Sequence, residues 1–240
     1  MIDIKEIDTL ELSNYINIFR QFLVKKDFFE HTLYSFRQFK IENAECFEIN
    51  PNLFLRYGTE PEIWKIGKEF DKFFWIGSLY RKEKSLSPIH RYEFKLVDFY
   101  LREGTLNNIL DLFFDLLKEA EKSLNLKKIS ELSIQFISFK DFQNKKFLNN
   151  KKEWIVVTNY PKNESFFDAP LKEGTNKFEI FFISSGRKTE IASGGIVGPN
   201  LNPKMYINEG EKYTNEKIFN ENFIGLGFGI ERLMFLYKAG

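Results

Sequence analysis

Apolar positions along this chain recur with two different periods. Leu12, Tyr15, Ile16, Phe19, Phe22 and Leu23 fall at helical spacing and predict an amphipathic helix over about residues 11–25. The stretch TLNNILDLFFDLLKEAEKSL (105–124) predicts a second helix, N-capped by Thr105, with an acidic outer face. Between them, NLFLRYGTEPEIWKIGKEF reads as a short strand, a turn at Gly58 to Pro61 and a further helix. DKFFWIGSLYRKE and HRYEFKLVDFYLR read as two long antiparallel strands joined by a mobile KSLSPI loop. A polar, lysine-rich excursion, FQNKKFLNNKKEW, precedes three strand-like segments, EWIVVTNYP, KFEIFFIS and TEIASGGIVG. The chain closes on GLGFGIERLMFLY, a strand with glycine at every second position running into a short helix. That helix would carry Leu233, Met234, Leu236 and Tyr237 on one face and Arg232 in its first turn. No internal repeat and no linker divides the sequence. The expectation is one α+β domain over 1–240, an antiparallel sheet flanked by helices.

Composition narrows the function classes. With 43% hydrophobic and 17% aromatic residues the chain can bury a substantial core. Lys+Arg 35 against Asp+Glu 34 gives a net charge of +1, without the footprint of a dedicated nucleic-acid binder. A single cysteine, Cys46, excludes an internal disulfide and a multi-cysteine zinc site. The start MIDIKEIDTLELSNY lacks a signal-peptide pattern, and no apolar run reaches membrane-spanning length. A cytoplasmic protein with no membrane partner is expected.

The glycines at 225, 227 and 229 leave one strand face bare, so a flat ligand could lie against the backbone, although a packed strand-to-helix corner gives the same pattern. On HRYEFKLVDFYL the side-chain period of two groups His90, Phe94, Leu96, Asp98 and Tyr100 on one face, leaving Val97, Phe99 and Leu101 for the core. On the preceding strand Arg81 and Glu83 would share a face. A merely solvated sheet face is the plain alternative. The mixture nevertheless offers an arginine for phosphate, an aromatic for a flat base and acids for an amine or metal. His31, Cys46 and the lysines of the excursion read as packing or solvated surface; the lysines could otherwise greet an acidic acceptor.

The segments FRQFLVKKDFFEHTLYS, LYRKEKSLSPIHRYEF with LVDFY, and GLGFGIERL resemble, in order, motifs 1, 2 and 3 of class II aminoacyl-tRNA synthetases. EPEIW, FFWIGSLYRKE and TEIASGG resemble the subclass of aspartyl-, asparaginyl- and lysyl-tRNA synthetases. The resemblance implies ATP bound over the glycine floor at Gly227 and Gly229, with adenine between Phe94 and Arg232. It implies Arg81 on the α-phosphate, Glu83 on the adenine amino group and His90 on the γ-phosphate, with Arg81 and Arg232 catalytic. Glu190 and Glu179 would hold Mg2+, and Glu62, Asp98, Tyr100 and Ser193 the amino acid; Glu62 also suits a helix first turn.

Three departures refine the resemblance. The motifs begin near residue 11, without the family's N-terminal anticodon-binding barrel, which implies a free-standing paralogue. Tyr34 stands near the motif 1 proline of the family's dimer interface; a homodimer is expected by analogy. Val197 replaces the arginine of aspartate enzymes, and the acid of lysine enzymes is missing, which suggests a less polar side-chain pocket. The expected activity is aminoacyl-adenylate formation from ATP and an amino acid. Transfer would go to ammonia, a small amine or a protein lysine rather than to tRNA. The alternatives are tRNA aminoacylation with a partner or by acceptor-stem recognition, and an inactive regulatory paralogue.

Overall fold

The structure, a computed structural model, describes residues 7–38, 40–41, 45–51, 53–59, 62–87, 89–148, 150–162, 175–198, 206–207 and 221–239. The first helix, α1 (Thr9–Lys25), starts where Asp8 accepts from the Leu10 and Glu11 amides at 2.9 and 3.2 Å. Such a cap contributes about 1 kcal/mol. Short strands follow: β1 (Phe29–Glu30), β2 (Phe36–Arg37), β3 (Lys40–Ile41), β4 (Glu48–Asn50) and β5 (Leu53–Leu55). The helix expected after Gly58 is a single 3-10 stretch, Ile63–Lys68, and Glu60 and Pro61 of the predicted turn lie outside the described residues. The two long strands form as expected, β6 (Lys72–Tyr80) antiparallel to β7 (Glu93–Arg102). Next comes α2 (Leu106–Leu124), whose Thr105 and Asn108 cap one another reciprocally. After it come β8 (Ile134–Ser138), α3 (Phe139–Asn144), β9 (Glu153–Thr158), β10 (Phe178–Ser184) and β11 (Arg187–Val197). The last elements are β12 (Tyr206–Ile207), β13 (Phe223–Gly229) and α4 (Ile230–Ala239). The lysine-rich excursion is therefore partly helical, because Ser138 caps α3 and Phe142 turns inward to 7% exposure.

Eight strands form the main sheet in the order β1-β6-β7-β13-β11-β10-β9-β8. Its six inner strands are antiparallel throughout, and one short strand pairs parallel at each edge. One face carries the core. Val97 and Phe99 of β7, Leu226 and Phe228 of β13 and Ile180 and Phe182 of β10 pack against α1, α2 and α4. Phe113 of α2 meets both Trp154 and Phe228 edge-on, at 6.1 and 5.6 Å. The other face is free of the large helices, and the site residues project there. The expected fold class, an antiparallel sheet flanked by helices, is the one observed.

Candidate active site

The strand register sets rows across this open face. Asp98 of β7 lies opposite Gly227 of β13, Gly227 opposite Ser193 of β11, and Ser193 opposite Glu179 of β10. Four predicted site residues thus occupy one transverse row. One row further along, Leu96 pairs with Gly229; in the other direction Tyr100 pairs with Gly225. Ser193 and Glu190 are three apart, which in a regular strand would send them to opposite faces. A bulge in β11, where Ile191 is skipped as the register with β10 jumps from Ile180–Ala192 to Phe181–Glu190, returns both to the same face.

The glycine floor is open at Gly229, tight at Gly227 and covered at Gly225. A Cβ on Gly229 would lie 3.7 Å from the Phe94 ring and 3.9 Å from Arg232 Cβ, so those two side chains bracket bare backbone. At Gly227 the nearest atom would be an Asp98 oxygen at 3.3 Å. Gly225 is different, because the Tyr100 ring lies on it, 2.3 Å from where a Cβ would sit. Tyr100 is itself stacked on Phe73 at 5.2 Å and 13°. The expectation of a bare strand face therefore fails at Gly225, which exists to accept a tyrosine. Substituting alanine should separate the two uses. Gly225→Ala is expected to cost stability by forcing Tyr100 to move, visible as a lower melting temperature. Gly229→Ala should leave melting nearly unchanged while weakening nucleotide binding, measured by calorimetry with ATP.

Arg81 and Glu83 do not share a strand face: β6 ends at Tyr80, and both sit in the loop beyond it, where the Glu83 amide bonds the Arg81 carbonyl at 3.0 Å. Arg81 is still directed into the site. Its guanidinium lies 5.1 Å from the Phe94 ring centroid and 4.9 Å from that of Tyr57. Its Nε is buried without a hydrogen-bond partner among the described residues. A buried donor in that state carries a desolvation cost that an anionic oxygen would relieve. His90 also falls outside β7, which starts only at Glu93. It is exposed, bridged to Ser87, with Nδ1 and the Ser87 hydroxyl 2.8 Å apart.

Arg232 occupies the first turn of α4, as expected, and donates to the Glu190 carbonyl at 3.0 Å, with the Glu190 carboxylate 3.7 Å away. Glu190 keeps 42% side-chain exposure. Its carboxyl is held above the ordinary range, first by burial of the carboxylate and then by the charge of Glu179, opposed by Arg232, Arg81 and Lys177. Mutual repulsion of this kind is what a divalent cation relieves, and two carboxylates that leave the other positions to phosphate and water suit Mg2+. The donor chemistry therefore fits the metal, with Glu190 the accessible ligand. Glu179 is already occupied, accepting from Tyr160 Oη at 2.6 Å and from Lys177 Nζ at 2.8 Å. Among the described residues no group of three or more His, Cys, Asp and Glu side chains comes together.

At the other end of the row Asp98 is 4% exposed and accepts from the Thr59 hydroxyl and, at 3.2 Å, from Tyr100 Oη. Glu62 precedes the 3-10 helix and makes no cap bond. Its carboxylate is held by Arg56, through Nη1 at 2.5 Å and Nη2 at 3.0 Å, and by Arg37 Nη2 at 2.8 Å. Both arginines are almost fully buried, and a half-buried carboxylate at 24% exposure is their counter-charge. Val197 joins Phe73, Tyr100 and Phe223 in an apolar cluster. His31 is not isolated: it sits in the field of Glu62 and Arg56, and burial pushes its imidazole below the ordinary range. The sequence reading also missed Lys177, Tyr160, Thr59, Arg37 and Arg56. Lys177 is two residues before Glu179, a period-two spacing that was the available signal.

An antiparallel sheet with an open glycine floor, a motif 2 arginine and a motif 3 arginine defines the catalytic core of a class II aminoacyl-tRNA synthetase. Residues 9–239 match the family described as tRNA synthetases class II (D, K and N), and the chain belongs to it. No curated protein sequence matches. Among solved structures, Pyrococcus horikoshii asparaginyl-tRNA synthetase complexed with asparaginyl-adenylate superposes with a TM-score of 0.76 at 17% identity, covering 96% of this chain and 65% of that one. Entamoeba histolytica asparaginyl-tRNA synthetase gives 0.72 at 15% identity, covering 96% and 64%. Its complex with asparaginyl-adenylate gives the same score and identity, covering 63% of that chain. The chain thus spans just under two thirds of these synthetases. Among the described residues no helix is long and apolar enough to cross a membrane.

Proposed function

We propose that this protein is an ATP-dependent ligase that activates an amino acid as its adenylate and passes it to an acceptor other than tRNA. The observation that carries the reading is the bracket of Phe94 and Arg232 around Gly229, with the unpartnered Arg81 Nε beside it. Adenine would lie on Gly229 between the ring and the guanidinium, a cation–π arrangement. The α-phosphate would face Arg81. An amino-acid carboxylate oxygen then attacks the α-phosphorus; the α–β bond breaks and pyrophosphate leaves with its electrons. Arg81 stabilises the charge that develops on the α-phosphoryl oxygens, and no protein nucleophile is needed. Glu190, with Glu179 behind it, would hold Mg2+, which neutralises phosphate charge. The amino acid would sit at the Asp98–Gly227–Ser193 row, with Glu62 oriented by its two arginines.

The acceptor reading is supported by the balanced charge, +1 overall, which lacks the net positive excess of a dedicated polyanion binder. Ammonia, a small amine or a protein lysine is the acceptor class. The protein is proposed to work in the cytoplasm as a homodimer through the motif 1 side, where Tyr34 and Phe36 are 84% and 52% exposed. Amino-acid-dependent ATP–pyrophosphate exchange, run without tRNA against the twenty amino acids and β-lysine, tests the activity. Exchange with one substrate supports it and names the amino acid; exchange with none defeats it. Gel retardation with total tRNA tests the acceptor, and steeply salt-dependent binding would favour aminoacylation of tRNA instead.

A further inference from the structure

The acid pair at the metal site is not symmetrical. Glu179 is 15% exposed and both of its oxygens are engaged, Oε1 by Lys177 Nζ at 2.8 Å and Oε2 by Tyr160 Oη at 2.6 Å. The Lys177 ammonium is itself only 18% exposed and lies 4.5 Å from the centroid of the Tyr160 ring. Lysine, glutamate and tyrosine therefore close on one another in three contacts: an ion pair, a hydrogen bond and a cation–π contact. Glu190 is the opposite case, 42% exposed and, among the described residues, held by nothing tighter than Arg232 at 3.7 Å. The register shift between β10 and β11 turns both glutamates to the same face, from adjacent strands.

We infer that Lys177 acts as a built-in cation at this site, keeping Glu179 out of the metal's coordination sphere and leaving Glu190 as the chain's sole protein ligand to Mg2+. The inference rests on the proposed nucleotide reading. Direct ligation of Mg2+ by Glu179 at about 2.1 Å would bring the cation within a few ångströms of the Lys177 ammonium. Like charges would then meet in a half-buried place where water screens them poorly. The fixed ammonium already supplies Glu179 with its counter-charge, and through it lowers the negative field that a second divalent cation would need. The site is thereby built to load nucleotide with one fewer protein-bound metal ion, Lys177 acting as a positioning residue.

Mn2+ binding tests this on the full chain with α,β-methylene-ATP, counting free Mn2+ by electron paramagnetic resonance. Glu190→Gln should abolish protein-dependent Mn2+ binding, and Glu179→Gln should leave the number bound unchanged. Lys177→Met should create an additional Mn2+ site, whereas Lys177→Arg, which keeps the charge and guards against a folding failure of the first variant, should not. Equal loss of Mn2+ from both glutamate variants, or no gain in Lys177→Met that melts normally, would overturn the inference. Calorimetry with α,β-methylene-ATP in the presence of Mg2+ separates the two readings. Nucleotide that fails to bind defeats the proposed function, and Mn2+ titrated without nucleotide still compares the two glutamates.

Discussion

Arg81→Ala is expected to lower the maximal rate of amino-acid-dependent pyrophosphate exchange about 10²–10³-fold, the scale set by deleting one preorganised donor at developing charge. The reason lies in where the guanidinium is held. Tyr57 and Phe94 fix its plane at 4.9 and 5.1 Å, and its Nε is buried without a partner. A donor kept dry and unpaired before the reaction reorganises little during it. Arg232→Ala should behave differently, raising the KM for ATP about 10-fold with a smaller effect on rate, because a cation–π contact of about 1–2 kcal/mol acts on ground state and transition state alike. Arg81→Lys should recover only part of the loss, since a lysine keeps the charge but not the planar fork. Steady-state exchange kinetics with varied ATP separate these outcomes. An Arg81→Ala enzyme with unchanged maximal rate would remove Arg81 from the chemistry.

The sheet, its strand faces and the long helices were legible because their signals are periodic and local. Val97 and Phe99 alternate with Asp98 and Tyr100, and although all four are buried they divide by face, Val97 and Phe99 in the main core and Tyr100 in a separate cluster. The α2 cap was legible because Thr105 begins the segment and the apolar period follows it at once. What escaped the sequence was where regularity stops. Arg81 and Glu83 continue the alternation of β6 beyond Tyr80, so nothing in the pattern marks the strand's end. The bulge that places Glu190 and Ser193 on one face is invisible in a spacing of three, which argues for the wrong answer. Glycine at 225 looks identical to glycine at 229, yet one takes the Tyr100 ring and the other stays open. Long-range pairings were out of reach too. Arg37 and Glu62 are 25 residues apart, and Tyr160 and Glu179 are 19 apart. The candidate site was legible as a set of residue types, but its charge balance was not, because Glu62, Asp98, Glu179 and Glu190 each have a partner drawn from elsewhere in the chain.

The largest stability effect is expected from a residue on the far side of the sheet, Glu121→Ala. Glu121 lies in α2 at 5% exposure, among apolar residues. Its carboxylate accepts from the Ser130 amide at 2.8 Å, the Ser130 hydroxyl at 2.5 Å and Tyr237 Oη at 3.0 Å. One buried acid thus ties α2 to the chain entering β8 and to α4. Burial next to that acid pushes the Tyr237 and Tyr15 hydroxyls far above their ordinary range, so both stay protonated and donor-competent at any working pH. Alanine would strand an amide and two hydroxyls in the core, costing about 3 kcal/mol or more, since each abandoned group keeps its desolvation penalty. For a chain of this size that corresponds to a melting temperature lower by about 6–12 °C. Glu121→Gln retains an acceptor for Ser130 and should lose less than half as much. The ATP dependence of exchange should move little in either variant. Arg232 is fixed at the other end of α4 by Leu233 and Met234, buried to 0% and 2%, and these do not depend on the carboxylate. Thermal unfolding followed by circular dichroism measures the first effect, and the exchange assay below the melting transition measures the second. A Glu121→Ala protein melting within 2 °C of the parent would show that the network adds nothing net. A rise in the KM for ATP as large as that of Arg232→Ala would instead make α4 a lever between core and nucleotide rather than a rigid mount.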